Sequence, residues 1–137
     1  NNEGENIREL IESLTKSNHS VLKSSLKVRR PWGSFESILT DNTYQVKKII
    51  VNPGQALSLQ KHKFRSEHWF VVSGEASVRV GDKEQNLREG HSIDIPAGEL
   101  HRLTNNTKNT LVLIETQIGS YLGEDDIIRV KDNYGRI

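Results

Sequence analysis

Four side chains with lone pairs to offer sit at spacings that could gather them around one ion: Gln60, His62, Glu67 and His101. Gln60 and His62 are two residues apart, so on an extended strand both point to the same face. Glu67 opens the next apolar run, and a turn between it and His62 would bring its carboxylate back beside the imidazole. Pro96 and Gly98 force a tight turn just before His101, which lets that imidazole join the other three. Two imidazoles, a carboxylate and an amide oxygen make a borderline-hard donor set that suits Zn²⁺, and also Co²⁺, Ni²⁺ or Mn²⁺. Such a set leaves coordination positions for water or a substrate oxygen, whereas a structural zinc site would be closed and usually Cys-rich. The amide oxygen argues for a Lewis acid rather than a redox metal. The chain has no cysteine, which excludes thiolate ligands and disulfides alike. A single His in a strand is usually an ordinary core or surface residue, so the metal reading rests on the four together. His19 and His91 lie outside the constellation, and His68, next to Glu67, should face the opposite way.

The elements that must position these residues are short strands. Apolar or alternating runs cover 45–51, 67–72, 76–80, 92–95, 101–105 and 110–117, and turn residues such as Asn52-Pro53-Gly54, Ser73-Gly74, Gly81-Asp82 and Pro96-Ala97-Gly98 separate them. In the last run Leu111 and Leu113 point one way and Val112 and Ile114 the other, the pattern of a strand buried on both faces. Many short strands with little helix between them predict an antiparallel sandwich or barrel. Ahead of Arg29 the pattern differs. Ile7, Leu10, Ile11 and Leu14 share one helical face, and Glu3, Glu5 and Glu9 sit at its start, where the helix dipole favours acids. Residues 15–25 read as a polar connector, and the charged tail, 121–137, is expected to pack across the outside.

Composition narrows the classes. The 137 residues suffice for one domain with a core. With 19 basic and 18 acidic residues the formal charge is +1, which carries no nucleic-acid footprint. No apolar stretch approaches transmembrane length and no signal-peptide pattern opens the chain, so a soluble, cytoplasmic protein without a membrane partner is expected. The chain begins Asn1-Asn2 and contains no Met, as a domain cut from something longer would.

The two stretches that carry the metal constellation resemble the two signature motifs of the cupin superfamily. Gly54, His62, Glu67 and Gly74 match the first, with Gln60 where its first His is expected; Gly90, Pro96, Gly98, His101 and Asn105 match the second throughout. The runs Arg30-Pro31-Trp32-Gly33-Ser34-Phe35, Leu57-Ser58-Leu59-Gln60-Lys61-His62, 65–74 and 119–127 are further similar to type II phosphomannose isomerases, from about residue 28 to the end. This resemblance implies an all-β cupin (a double-stranded β-helix, jelly-roll-like barrel) over 28–137, preceded by a helical linker at 1–27. It also implies a homodimer and an upstream nucleotidyltransferase domain, because the family commonly follows a mannose-1-phosphate guanylyltransferase domain in one bifunctional chain that serves GDP-mannose and polysaccharide synthesis. The family's metal ligands fall on Gln60, His62, Glu67 and His101, and its Leu-Ser-Leu-Gln-x-His run is kept, so the Gln is a family feature. One departure is visible: Lys61 and Lys63 flank His62 where the family is often His-rich.

The implied reaction interconverts mannose 6-phosphate and fructose 6-phosphate by moving a proton between C1 and C2 through an enediol. A bound metal would polarise the sugar oxygens, a base must take the proton, and a cation must hold the phosphate. Arg65, three residues past His62, is assigned to catalysis or phosphate binding; related type I enzymes carry a Lys at that distance from a metal His. Lys61 is the second catalytic choice, and Tyr121 is a further substrate-binding choice. Glu115, Glu124 and Asp126 are weaker candidates, and the spacing does not single out the base. The competing reading is a non-catalytic cupin of a guanylyltransferase that binds sugar or mediates dimerisation; metal content and isomerase turnover separate the two.

Overall fold

The computed structural model describes residues 27–136. The helical reading of 7–14, and with it the division at residue 27, lies outside the described residues. Among the described residues eleven strands and no helix follow one another: β1 (Lys27–Arg30), β2 (Gly33–Thr40), β3 (Tyr44–Val51), β4 (Leu59–Lys61), β5 (Arg65–Ser73), β6 (Ala76–Val80), β7 (Lys83–Leu87), β8 (Ser92–Ile95), β9 (His101–Thr104), β10 (Leu111–Gly119) and β11 (Ile128–Lys131). They form two antiparallel sheets. One has the order β1-β2-β3-β10-β5-β8, the other β11-β4-β9-β6-β7. The inner faces of the sheets share one core that includes Trp69, Val71, Val78, Leu103, Leu111 and Leu113.

Three central strands of the larger sheet show how the sequence divides this interior. On β3 the inward residues are Gln45, Lys47, Ile49 and Val51; on β10 they are Leu111, Leu113, Glu115 and Gln117. Antiparallel register sets like against like: Ile49 faces Leu113, Val51 faces Leu111, Lys47 faces Glu115 and Gln45 faces Gln117. On the other flank of β10, Leu113 faces Val71, Glu115 faces Trp69 and Gln117 faces Glu67. The barrel therefore has an apolar end, which hydrophobic burial stabilises, and a polar end, which it does not. The site lies at the polar end.

Two sequence expectations need correcting. Val112 and Ile114 on β10 are only partly buried, while Leu111 and Leu113 are fully covered, so the strand is covered on one face. The outer face of this sheet carries exposed Ile118, Phe70 and Val72 and has no second layer over it among the described residues. The tail also does more than cross the outside. Its β11 pairs with β4, setting Arg129 opposite Gln60 and Ile128 opposite Lys61. Charged and polar residues at alternate positions hide this short strand, and β7 with its Lys-Glu-Gln-Asn run, from apolar patterning.

Candidate metal centre

β4 and the residue just past it supply Gln60 and His62, β5 supplies Glu67, and β9 supplies His101, which is the direct cross-strand partner of Gln60. Gly98 helps to hold the arrangement. It takes a φ of 83°, which favours glycine, and its N–H donates to the His62 carbonyl at 2.7 Å. The turn ahead of His101 is thereby tied to the strand that carries His62.

His62, Glu67 and His101 are almost wholly buried, and their donor atoms lie within 4.8 Å of one another. Glu67 Oε1 is 2.9 Å from His62 Nε2, and Glu67 Oε2 is 3.9 Å from His101 Nε2. Each imidazole is held from behind by a backbone carbonyl: His62 Nδ1 lies 2.7 Å from the Asp126 oxygen and His101 Nδ1 lies 3.0 Å from the Glu99 oxygen. A carbonyl only accepts, so each Nδ1 carries hydrogen, and in the neutral ring Nε2 presents a lone pair to the centre. The His62 lone pair then faces a carboxylate oxygen at 2.9 Å, a contact that needs a proton or a cation between the two atoms. His101 Nε2 is buried with no hydrogen-bond partner at all. Buried polar atoms normally find a partner. Burial pushes the His101 imidazolium to lower pKa, and the nearby Glu67 charge opposes this only in part. Burial works to raise Glu67, yet its His62 hydrogen bond and the His101 charge bring it well below the usual carboxylate range. A neutral imidazole and an ionised carboxylate are the forms that ligate a divalent cation, so these residues fit one.

Gln60 lies beside them. Its Nε2 is 3.4 Å from His62 Nε2, and its Oε1 accepts from the Ser58 hydroxyl at 2.6 Å. A half turn of the terminal amide exchanges these roles: Nε2 donates to Ser58 and Oε1 faces the centre as a fourth donor.

Arg65 is buried, not a surface cation. Its Nε donates to Glu67 Oε1 at 3.2 Å, Nη1 donates to the Gly123 carbonyl at 3.4 Å, and Nη2 is 3.4 Å from His62 Nε2. It borders a cavity, open to solvent, that also exposes Gln60, Glu67, Lys47, Glu115 and Gln117. The other two sequence choices lie elsewhere. Lys61, of opposite parity to Gln60, lines a second cavity with His62, Lys63, Ala97, Gly98 and Ile128 and is absent from the one that Arg65 borders. Tyr121 is exposed, donates its hydroxyl to Asp125 Oδ1 at 2.5 Å and sets its ring edge-on to Phe64. His68 does face away, as its parity predicts, with Nδ1 2.5 Å from Asp94.

Of the weaker choices, Glu115 proves central. The Trp69 indole N–H donates to both Glu67 Oε2 and Glu115 Oε2 at 2.9 Å, bridging the two carboxyls. Burial, and then the neighbouring Glu67 charge, push Glu115 up to about 8. Asp126 receives the backbone N–H of Lys63 and of Phe64, each at 2.9 Å, so one residue fixes this loop with its side chain and His62 with its carbonyl. Lys47 and Gln117 were not singled out from sequence. The signal for them was their parity with Ile49 and Leu113, which places polar groups on a core face.

A model of the family described as mannose-6-phosphate isomerase C-terminal matches residues 17–132. The chain belongs to this family. This isomerase-family domain is 49% identical over 130 residues to the xanthan biosynthesis protein XanB of Xanthomonas campestris, covering 95% of this chain and 28% of that protein. It is 46% identical to mannose-1-phosphate guanylyltransferase 2 of Escherichia coli O157:H7, covering 95% and 27%. The domain thus spans less than a third of these relatives. Its fold is shared with a double-stranded β-helix protein from Klebsiella pneumoniae (TM-score 0.66, 18% identity, 81% and 95% covered) and with the cupin domain of Cnp3 from Schizosaccharomyces pombe (0.61, 15%, 63% and 64%). The architecture is a cupin.

Proposed function

We propose that this domain interconverts mannose 6-phosphate and fructose 6-phosphate in a metal-dependent manner, as part of a longer chain that carries a mannose-1-phosphate guanylyltransferase domain upstream. The observation that carries this reading is the convergence of the buried donor atoms of His62, Glu67 and His101, all within 4.8 Å of one another, with both Nδ1 hydrogens tied to backbone carbonyls. Gln60, His62, Glu67 and His101 would hold the divalent ion, for which Zn²⁺ is the first choice by donor chemistry, with Co²⁺, Ni²⁺ and Mn²⁺ compatible. When bound it supplies Lewis-acid polarisation of the sugar oxygens.

The remaining work falls to the chain itself. Arg65 adds a permanent positive charge beside the place where enediolate charge develops, and holds Glu67 in position. Of the cavity's carboxyls, Glu67 faces the imidazoles and Glu124 pairs with Lys47, which leaves Glu115 to move the proton between C1 and C2. We further assign a homodimer through β1. Among the described residues this strand pairs only with β2 and so presents an open edge, while Trp32 and Phe35, just beyond it, are buried in the chain's own core.

The deciding experiment measures metal content and mannose 6-phosphate turnover on the purified chain. Turnover that chelation abolishes and Zn²⁺ restores is the expected result. A chain holding one equivalent of metal with no turnover would sink the isomerase reading.

A further inference from the structure

Five basic side chains border the cavity: Arg30, Lys47, Arg65, Arg129 and Arg136. Three of them are committed. Lys47 pairs with Glu124, Arg65 with Glu67, and Arg136 with Asp132 through contacts of 2.8 and 2.9 Å. Arg30 and Arg129 enter no ion pair among the described residues. Arg129 Nε is closed off from solvent and has no hydrogen-bond partner. Arg30 Nη1 reaches only the neighbouring Arg29 carbonyl, at 3.4 Å, and its guanidinium lies 5.3 Å from the centre of the Phe35 ring.

The two arrive from different sheets. Arg30 ends β1, at the edge of the larger sheet, and Arg129 sits on β11, at the edge of the smaller one. Arg129 is the cross-strand partner of Gln60, so its side chain rises from the same face as that residue. A guanidinium with a donor hidden from water and no acceptor is a site short of an anion. Arg129 is such a group, and Arg30 brings a second guanidinium without an acidic partner among the described residues to the same cavity; together they call for about two negative charges, which a phosphomonoester carries near neutral pH. Their planar forks suit phosphate oxygens. A hexose 6-phosphate carries its dianion on the carbon remote from C1 and C2, so the charged end and the reacting end need separate places.

We propose that Arg30 and Arg129 form the subsite for the phosphoryl group, with the reacting end of the sugar directed to His62, Glu67 and His101. The choice of a sugar phosphate rests on the isomerase reading; the need for an anion does not. Arg65, which sequence alone offered for the phosphate, is spent on Glu67 and the Gly123 carbonyl deeper in the wall.

The test is calorimetric titration of the purified chain with mannose 6-phosphate, inorganic phosphate and mannose, repeated on Arg30→Gln and Arg129→Gln with metal content measured in parallel. Each substitution is expected to weaken mannose 6-phosphate and inorganic phosphate by roughly 10- to 100-fold, the usual range for a hydrogen bond to a charged group, and to leave mannose affinity and metal content unchanged. Parental affinity for mannose 6-phosphate in both variants overturns the subsite even if isomerase turnover is intact. So does a parent that binds inorganic phosphate but not mannose 6-phosphate. Binding that needs both arginines but yields no turnover supports the subsite and removes the isomerase reading. A parent that binds neither anion removes both. Should either Gln variant lose its near-UV signal, Arg→Lys at that position takes its place; a several-fold weakening is then expected, and parental affinity counts against the proposal.

Discussion

At the scale of single residues, the centre is built by satisfying every polar atom except those that a ligand would claim. His101→Ala removes the unpartnered Nε2 and should abolish stoichiometric metal binding together with turnover, as read by atomic absorption and a coupled assay. Arg65→Lys keeps a charge but cannot reach Glu67 and the Gly123 carbonyl with one planar group. We expect a fall in kcat of about 10²–10³ with metal retained. An unchanged kcat would make Arg65 a purely structural cation. Glu115→Gln preserves the bulk of the side chain and should lower kcat by about 10²–10⁴ if Glu115 moves the proton. Normal turnover in that variant would transfer the role to another group.

At the scale of elements, the C-terminal tail holds the centre from outside. Asp126→Ala deletes the acceptors for two backbone N–H groups of the 63–64 loop and loosens the carbonyl that orients His62. Partners behind metal-binding imidazoles typically contribute 10- to 100-fold in metal affinity, and a loss of that size is the expected reading of a competition titration with a chelator. Farther along, Asp132 is held at about 2 by its hydrogen bonds to Arg136. Its folded value lies below the unfolded one, so the stability it adds is present above about pH 4 and is lost as pH falls through about 2. Asp132→Asn should therefore be less stable at neutral pH, by about 1 kcal/mol for a partly solvent-screened pair. It should also show a shallower loss of stability between pH 4 and 2 in denaturant titrations. These elements also show what a sequence conceals. Strands β3, β5, β6, β8, β9 and β10 were legible because short apolar or alternating runs stand between turn residues. Strand β11 was not, because Arg129 and Lys131 carry the pairing positions and only the fold reveals that they lie against Gln60 and Leu59. The ligands were legible from spacing and glycine framing, whereas Lys47 and Gln117 read in sequence as ordinary polar strand residues and acquire meaning only opposite Glu115, Gln45 and Glu67.

At the scale of the whole molecule, stability and function occupy opposite ends of one barrel. Leu113, fully buried among Ile49 and Val71, belongs to the end that supplies stability. Leu113→Ala should cost about 2–5 kcal/mol in thermal or denaturant unfolding while the metal equivalents per folded chain stay the same. Gln117→Leu should do the reverse. It removes the amide that donates to Glu115, so it should perturb turnover more than stability. If both variants fail in both measurements, the two ends are not separable and the division drawn from their registers is wrong.

The contact between His62 and Asp126 spans 64 residues, and β4 has to wait for β11 before its edge is closed. Chain closure over such a separation comes late, because the ordering cost precedes the reward. Burial of Trp69 between β10 and β8 needs no part of the segment beyond residue 119. On dilution from denaturant, the fluorescence of Trp69, read in a Trp32→Phe variant because Trp32 borders the cavity with Ile127 and Arg129, should therefore recover before the ability to capture Zn²⁺ does, and the interval should lengthen when Asp126 is replaced. The site is thus the last part of the barrel to mature, and metal loading reports that the tail has docked.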